Sequence, residues 1–203
     1  MTKAFVCLLS CEKYSYKREQ QNIHDLGIDY RYFIGDPSLS NAREAGSIVY
    51  LPCPDSYEYL THKTLQAFRW MEDNIEAEFY FKTDDDTMFD KEQFLLLLQE
   101  VENNKIQYGG ELHPGGVMSV HHFGKCEDER INKQRFYVPN IVYVKGGGYV
   151  LSRDSISLIN KTKNKKDYFC IYEDATIGNI LNQHGITPKP LQIRKAFNWD
   201  VIK

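Results

Sequence analysis

No stretch of this 203-residue sequence stays apolar for long. The apolar run nearest the start, Ala4 to Leu9, is too short for the apolar region of a secretory signal and far too short to cross a bilayer. No membrane span is expected. Basic residues are not in excess: 25 Lys and Arg stand against 28 Asp and Glu, a net charge of -3. That argues against a general nucleic-acid binder, which must neutralise phosphates, but leaves room for a local basic pocket. The cysteines are few and odd in number (Cys7, Cys11, Cys53, Cys126 and Cys170), with no paired metal-ligand spacing. Cys7 and Cys53 lie in or beside apolar runs and read as small buried hydrophobes. Free thiols fit a reducing compartment, so a cytoplasmic location is expected. Internal repeats, low-complexity tracts and Pro/Gly/Ser-rich linkers are lacking too. The length fits one domain, residues 1–203, with a sizeable core.

What the chain does contain is an ordinary globular composition, 42% hydrophobic and 26% charged, with fourteen tyrosines and eleven phenylalanines, which read first as packing residues. Ala4–Leu9 has the continuous apolar character of a strand covered on both faces. Lys17–Leu26 reads as a helix stopped by Gly27, and Tyr30–Ile34 and Ser47–Leu51 read as strands. Asp55-Ser56 offers an N-cap for a long helix through Asn74, with Leu60, Thr64, Phe68, Met71 and Ile75 as its stripe. Glu78–Lys82 is a strand. Asp90 caps a helix over Glu92–Glu102, with Phe94, Leu95, Leu97, Leu98 and Val101 on its buried side. From Gly109 to Arg135 the chain is polar without clear periodicity, as in a lid or binding loop. Ile141–Val144 and Tyr149–Leu151 bracket Gly146-Gly147-Gly148, and Ala175–Gln183 is a last helix with Gly185 past its end. Strands alternating with helices predict α/β layers around a mostly parallel mixed sheet, in which ligands bind beyond the carboxyl ends of strands.

Asp84-Asp85-Asp86 lies at such an end, delivered from the apolar Phe79-Tyr80-Phe81. Adjacent carboxylates repel, and a bound dication is the usual way to offset that. On an extended backbone Asp84 and Asp86 point the same way, while Asp85 turns aside to a neighbouring donor. Oxygen ligands favour Mg²⁺ or Mn²⁺, and few protein ligands leave coordination sites for diphosphate oxygens. The bland alternative is a solvated acidic turn ahead of the Asp90 helix. A calcium loop of the EF-hand type is interrupted by Met88 and Phe89. A dehalogenase-type phosphatase would need its threonine one place later than Thr87. Phosphoryl transfer is therefore one rival, and a carbohydrate-binding module without activity is another.

Several segments, taken in order, resemble one family. Phe33-Ile34-Gly35, then Asp55-Ser56-Tyr57 with Leu60-Thr61, Lys63-Thr64 and Trp70, then Lys82-x-Asp84-Asp85-Asp86, Gly146-Gly147-Gly148-Tyr149-Val150-Leu151-Ser152, and Glu173-Asp174 with Gly178 are similar to the motifs of the β-1,3-galactosyltransferase and Fringe group of GT-A glycosyltransferases. Tyr59 stands where the group usually has Asn, and the resemblance runs from about Tyr30 to Pro188. It implies a GT-A, Rossmann-like domain with a nucleotide-sugar half over about residues 1–86 and an acceptor half over about residues 87–203. It implies Mn²⁺ (or Mg²⁺) and a UDP-sugar donor at Asp84 and Asp86, a glycan or glycoprotein acceptor, and Asp174 as the base that deprotonates the acceptor hydroxyl. The group's chemistry inverts the anomeric centre, related GT-A folds retain it, and no spacing here decides between them.

Other positions follow with alternatives attached. Gly146–Gly148, and Gly147 and Gly148 in particular, either admit a sugar close to the backbone or form a hairpin or bulge. Lys63 either reaches a phosphate or is a solvated helix lysine. Trp70 reads as core. By topology Ser10, Tyr14 and Asp36 border the nucleoside, with Tyr14 free to stack on a base, and Asp85 supports the donor site. Members of the group usually carry a membrane anchor, a stem and disulfides, none evident here, which suggests a minimal catalytic domain of bacterial or viral type. The group often has a metal-binding His near its C-terminus. Asn198 or Asp200 occupies that place here, with Asp200 the expected ligand, while His184 and the His121-His122 pair are lesser candidates.

Overall fold

The computed structural model describes residues 2–162 and 170–203. Its strands in chain order are β1 (Thr2–Leu9), β2 (Asp29–Gly35), β3 (Arg43–Ala45), β4 (Ile48–Leu51), β5 (Ala77–Asp84), β6 (Met88–Phe89), β7 (Tyr108–Pro114), β8 (Met118–Ser119), β9 (Phe136–Tyr137), β10 (Val142–Ser152), β11 (Lys189–Pro190) and β12 (Phe197–Asn198). The α-helices are α1 (Ser15–Gln20), α2 (Leu60–Asn74), α3 (Lys91–Asn103), α4 (Arg153–Lys161) and α5 (Glu173–Gln183). The main sheet has the order β11-β7-β10-β5-β1-β2-β4-β3. It is parallel through β5, β1, β2 and β4, and antiparallel where β10 meets both β5 and β7 and where β3 meets β4. This is the mixed α/β sheet expected from the alternation of elements. Among the described residues no helix is long and apolar enough to cross a membrane.

The apolar run of β1 explains the layering. Its residues alternate between faces, so Phe5, Cys7 and Leu9 enter one core and Ala4, Val6 and Leu8 the other. The first core is closed by Phe68 and Met71 of α2, Ile156 and Ile159 of α4, and Ile177, Ile180 and Leu181 of α5. The second is closed by Phe94, Leu97 and Val101 of α3 and by the C-terminal Phe197 and Trp199. Phe197 stacks on Phe81 of β5 at 5.6 Å between ring centroids. A smaller cluster of Cys126, Val138, Tyr143, Cys170, Ile171, Tyr172 and Ala175 anchors the long segment after β7.

Several expectations are corrected. The helix expected over Lys17–Leu26 breaks at Gln21, whose backbone is extended (φ -73°, ψ 140°), and resumes as a short 3-10 turn over Ile23–Leu26. The break frees side chains for tertiary bonds. Gln21 Nε2 donates to Asp84 O (3.1 Å) and Thr87 O (2.9 Å), and Asn22 brackets Phe89 through both its N–H and its carbonyl. Ser56 makes no capping bond, a 3-10 turn over Tyr57–Tyr59 leads into α2, and Asp55 serves elsewhere. Asp90 caps α3 as predicted, accepting from Gln93 N at 3.0 Å. Leu95, expected on the buried side, is exposed, because the buried stripe of α3 is only Phe94, Leu97 and Val101. The segment from Gly109 is not all loop: β7 runs through its first residues and β8 pairs with β9. Of the hairpin and the bulge left open at Gly146–Gly148, the structure has the bulge: residues 142–152 form one strand whose register shifts between Val144 and Tyr149. The edge strand β3 and the helix α4 were not foreseen.

Candidate active site

β5 carries the aspartate turn to the carboxyl end of the sheet, between β1 and β10. The turn is built rigidly. Thr83 and Thr87 share a hydroxyl–hydroxyl bond of 2.8 Å, Gln21 holds the carbonyls on either side, and Asp86 O accepts from Val201 N (3.1 Å) and Ile202 N (3.2 Å). The three carboxylates then part ways. Asp85 is buried and accepts from Ser10 Oγ at 2.7 Å, while its own N–H bonds Leu9 O. Ser10 is buried too and receives Arg18 Nη1 at 3.1 Å. Asp85 thus turns aside to a donor, and that donor is Ser10.

Asp84 and Asp86 stay partly open, at 36% and 24% side-chain exposure. Asp84 Oδ1 accepts from Lys82 Nζ at 2.8 Å. Asp86 has a looser cation, Lys17 Nζ at 3.9 Å. Burial, with the Asp84 charge adding to it, pushes the Asp86 carboxyl up to about 6. Two hard oxygen donors of this kind fit a cation held by one or two carboxylates and completed by ligand oxygens. They do not fit an all-protein cage: among the described residues no three His, Cys, Asp or Glu are placed to hold a metal.

The expected third ligands lie in different surroundings. Asp200, with a left-handed backbone (φ 66°), lies exposed and reaches Arg194 Nη2 at 3.4 Å, while its N–H bonds the Asp86 carboxylate. Asn198 pairs its backbone with Met88 in the β12–β6 ladder. His122 is fully buried with both ring nitrogens used, by Tyr172 Oη (2.6 Å) and Ile131 O (3.0 Å). His121 meets Lys125 Nζ at 3.1 Å, and His184 meets Thr162 at 3.3 Å.

Across the bulge of β10 stands the second acidic pair. Glu173, at the start of α5, is 3% exposed, with Oε1 on Lys82 Nζ (2.7 Å) and Oε2 on Tyr149 Oη (2.8 Å). Burial pushes its carboxyl up to about 7 against the opposing pull of Lys82. Burial works against the charge on Lys82 as well, but the Asp84 and Glu173 carboxylates outweigh it and hold its pKa above the ordinary lysine value. Asp174 reaches further out and is only partly buried. Its Oδ2 accepts from Gly146 N (2.8 Å) and its Oδ1 from Ala175 N (2.7 Å). Burial still raises its pKa, against those two N–H donors and the nearby Lys82 and His113. Tyr57 also lies within the field of Asp174 and Asp84. Lys82, His113, Lys17 and Tyr57 were not singled out as site residues. Lys82 and Tyr57 stood inside motifs already noticed, which was the available signal.

The remaining candidates fare differently. Lys63 is neither solvated nor open to a phosphate: it is 3% exposed and donates to Asp55 Oδ1 and Ser10 O, both at 2.7 Å. Asp55 also accepts from Gly35 N (2.7 Å) and Glu12 N (2.8 Å), so Asp55 and Lys63 together join the loops after β1 and β2. Gly147 is covered, since a Cβ there would meet the Trp199 ring at 2.5 Å, and Gly148 lies under the same ring at 3.3 Å. These glycines seat an indole, against which Arg194 also stacks at 4.4 Å. Tyr14 is exposed beside Lys13 and Lys17, 5.4 and 5.2 Å from its ring centre, and meets Tyr16 edge-on at 6.3 Å. Asp36 binds Ser38 N and Oγ (3.0 and 2.6 Å), bonds that lower its pKa. Trp70 packs edge-on against Phe33 at 5.6 Å, as a core ring does. Two shallow clefts elsewhere, along α4 and between α3 and β11, include neither the aspartate turn nor Asp174.

The chain is similar to several known proteins in fold and sequence. The solved structure of A197 from STIV superposes over 93% of this chain and 81% of that one, with a TM-score of 0.50 at 10% identity, a likeness of fold alone. Mouse beta-1,3-galactosyltransferase 6 is 29% identical over 67% of this chain and 41% of its own length. Human N-acetyllactosaminide beta-1,3-N-acetylglucosaminyltransferase 3 is 26% identical over 72% of this chain and 39% of its own. Human beta-1,3-galactosyltransferase 4 is 24% identical over 76% and 48%. The chain therefore spans less than half the length of these curated relatives. The galactosyltransferase family pattern matches residues 25–192, which takes in the aspartate turn, the β10 glycines and Glu173-Asp174. By that match over most of its length, the chain belongs to the galactosyltransferase family.

Proposed function

We propose that the chain transfers a hexose from a UDP-sugar to a hydroxyl of a glycan or glycoprotein acceptor, with Mn²⁺ or Mg²⁺ held by Asp84 and Asp86. The observation that carries this is the meeting of two acidic arms at one buried lysine at the carboxyl end of β5: Lys82 binds Asp84 of the aspartate turn and Glu173, the chain neighbour of Asp174, while Asp174 is held by Gly146 N. The cation would supply positive charge beside the departing diphosphate. Lys17, 3.9 Å from Asp86, stands where it can offer a second positive charge to the same oxygens. Asp174 takes the proton of the acceptor hydroxyl as that oxygen attacks the anomeric carbon, and the bond from that carbon to UDP breaks. Burial favours this role by raising the affinity of Asp174 for a proton, while the Gly146 and Ala175 N–H groups aim its carboxylate. Tyr14, exposed on the nucleotide side, is a platform for the base. The five cysteines are all unpaired, which supports action in a reducing compartment, the cytoplasm.

Calorimetry with UDP, in Mn²⁺ and in its absence, tests the donor site. Metal-dependent UDP binding is expected, and its absence would sink the reading. Release of UDP from a panel of UDP-sugars then identifies the donor, and a protein that binds UDP but releases none would be a binding module instead of an enzyme.

A further inference from the structure

We propose that Lys82 is a positioning residue, a three-way junction that sets the Asp84 arm of the site against the Asp174 arm. The inference rests on the glycosyl-transfer reading above and adds to it how the two arms are held in register.

An ammonium group has three hydrogens, and each of those on Lys82 has an acceptor: Asp84 Oδ1 at 2.8 Å, Gly146 O at 2.6 Å and Glu173 Oε1 at 2.7 Å. The three acceptors come from the end of β5, the bulge of β10 and the start of α5, segments up to 91 residues apart that meet at one atom. Lys82 itself is 2% exposed. Two routes run from it to Asp174. Along the first, the Gly146 peptide gives its carbonyl to Lys82 and its N–H to Asp174 Oδ2 at 2.8 Å. The second passes through Glu173, the chain neighbour of Asp174, whose other oxygen is pinned by Tyr149 Oη. Gly146 completes the junction by having no side chain: a Cβ would stand 2.9 Å from Glu173 Oε1 and 3.2 Å from Asp174 Oδ2.

Stability alone does not call for this arrangement. A buried ion pair is often matched or bettered by apolar side chains of similar volume, and the residues just before Lys82 in β5, Phe79, Tyr80 and Phe81, are buried and apolar. What an apolar pair cannot do is reach Asp84 and the Gly146 carbonyl at once. Arginine cannot substitute, because its planar fork does not present three hydrogens in a tetrahedron around one atom.

The decisive variant is the double substitution Lys82→Met with Glu173→Gln, which removes both charges together and leaves an amide oxygen to accept from Tyr149. It is expected to unfold cooperatively with a melting temperature close to that of the wild type. It should bind UDP in Mn²⁺ within about threefold, yet turn over about a hundredfold more slowly, the scale of loss when reacting groups are misplaced by about an ångström. Lys82→Arg should remain at least about tenfold slow by the same misplacement. A double variant whose kcat stays within about threefold of an active wild type overturns the positioning role and leaves the transferase reading intact. So does a fall in kcat that UDP affinity follows equally, or that accompanies loss of cooperative unfolding. A wild type that neither binds UDP with Mn²⁺ nor releases it from any UDP-sugar sinks the transferase reading itself.

Discussion

The two acidic arms of this molecule, Asp84–Asp86 and Glu173-Asp174, are alike in composition and opposite in physical condition. On the first arm the buried member, Asp85, takes only a neutral hydroxyl, and the two outer carboxylates are left part-exposed with spare oxygen lone pairs. On the second, the buried member, Glu173, has a lysine on one oxygen and a tyrosine on the other. Its less buried neighbour, Asp174, is aimed by two backbone N–H groups. A carboxylate can be taken out of water only if its oxygens are satisfied. The first arm leaves this condition open for a ligand to meet, whereas the second meets it internally. On the proposed reading, the first arm receives charge and the second holds a base still.

The comparison is broken most severely at Asp174. Asp174→Asn replaces the carboxylate while keeping an oxygen for Gly146 N, and turnover should fall about 10²- to 10⁴-fold with UDP affinity little changed, while the loss of the Ala175 N bond costs about 1–3 kcal/mol of stability. Steady-state kinetics, calorimetry and urea unfolding check the three parts of that expectation. Glu173 gives the next effect, in stability. Its folded-state pKa is raised from 4.5 to about 7, so the proton it binds favours the folded state below about pH 4.5 and that stabilisation is lost as pH rises to about 7. Relative to Glu173→Gln, which does not titrate, the wild type should therefore lose on the order of 2–3 kcal/mol across that window. Urea unfolding of both proteins at pH 4.5, 6 and 8 measures the difference, and a constant difference would refute it. Gly147→Ala sharpens the boundary between the arms: the new methyl meets the Trp199 ring at 2.5 Å and should cost about 1–3 kcal/mol by overpacking. A melting curve suffices. Asp200→Gly should have the smallest effect, within about 0.5 kcal/mol of stability, because the side chain is exposed and loosely paired and glycine accepts the left-handed backbone (φ 66°). The Mn²⁺ dependence of UDP binding should also be unchanged, and a loss there of about tenfold, the scale of a missing ligand-shell contact, would restore Asp200 as a metal ligand.

Much of the fold could be read from local pattern. β1 was visible as an apolar run, α3 from its stripe and its Asp90 cap, and the ends at Gly27 and Gly185 from residues that accept φ 69° and φ 77°. The aspartate turn was placed correctly at a strand end because an apolar strand has to stop where charges begin. Misreadings came where a side chain answered to a distant partner. Gln21 and Asn22 sit in a helix-like pattern, yet the carbonyls around the aspartate turn draw them out of it. Asp55 has the form of a cap, but a buried lysine and two backbone N–H groups compete for it and win. Lys63 has helical spacing that says nothing of the hole between Ser10 and Asp55 into which it points.

By itself, then, the sequence determined the layers, the mixed sheet, the carboxyl-end position of Asp84–Asp86 and the kinship of the motifs. These depend on the spacing of apolar residues and on backbone preferences, which act over a few residues. Only the tertiary structure decided that Lys82 joins Asp84 to Glu173, that Asp85 faces Ser10, that Trp199 covers Gly147, and that the Asp200 N–H meets Asp86. Those outcomes follow from the need to satisfy buried polar groups and fill space around them. That need is met by whichever partners the fold brings near, however far apart they lie in the chain.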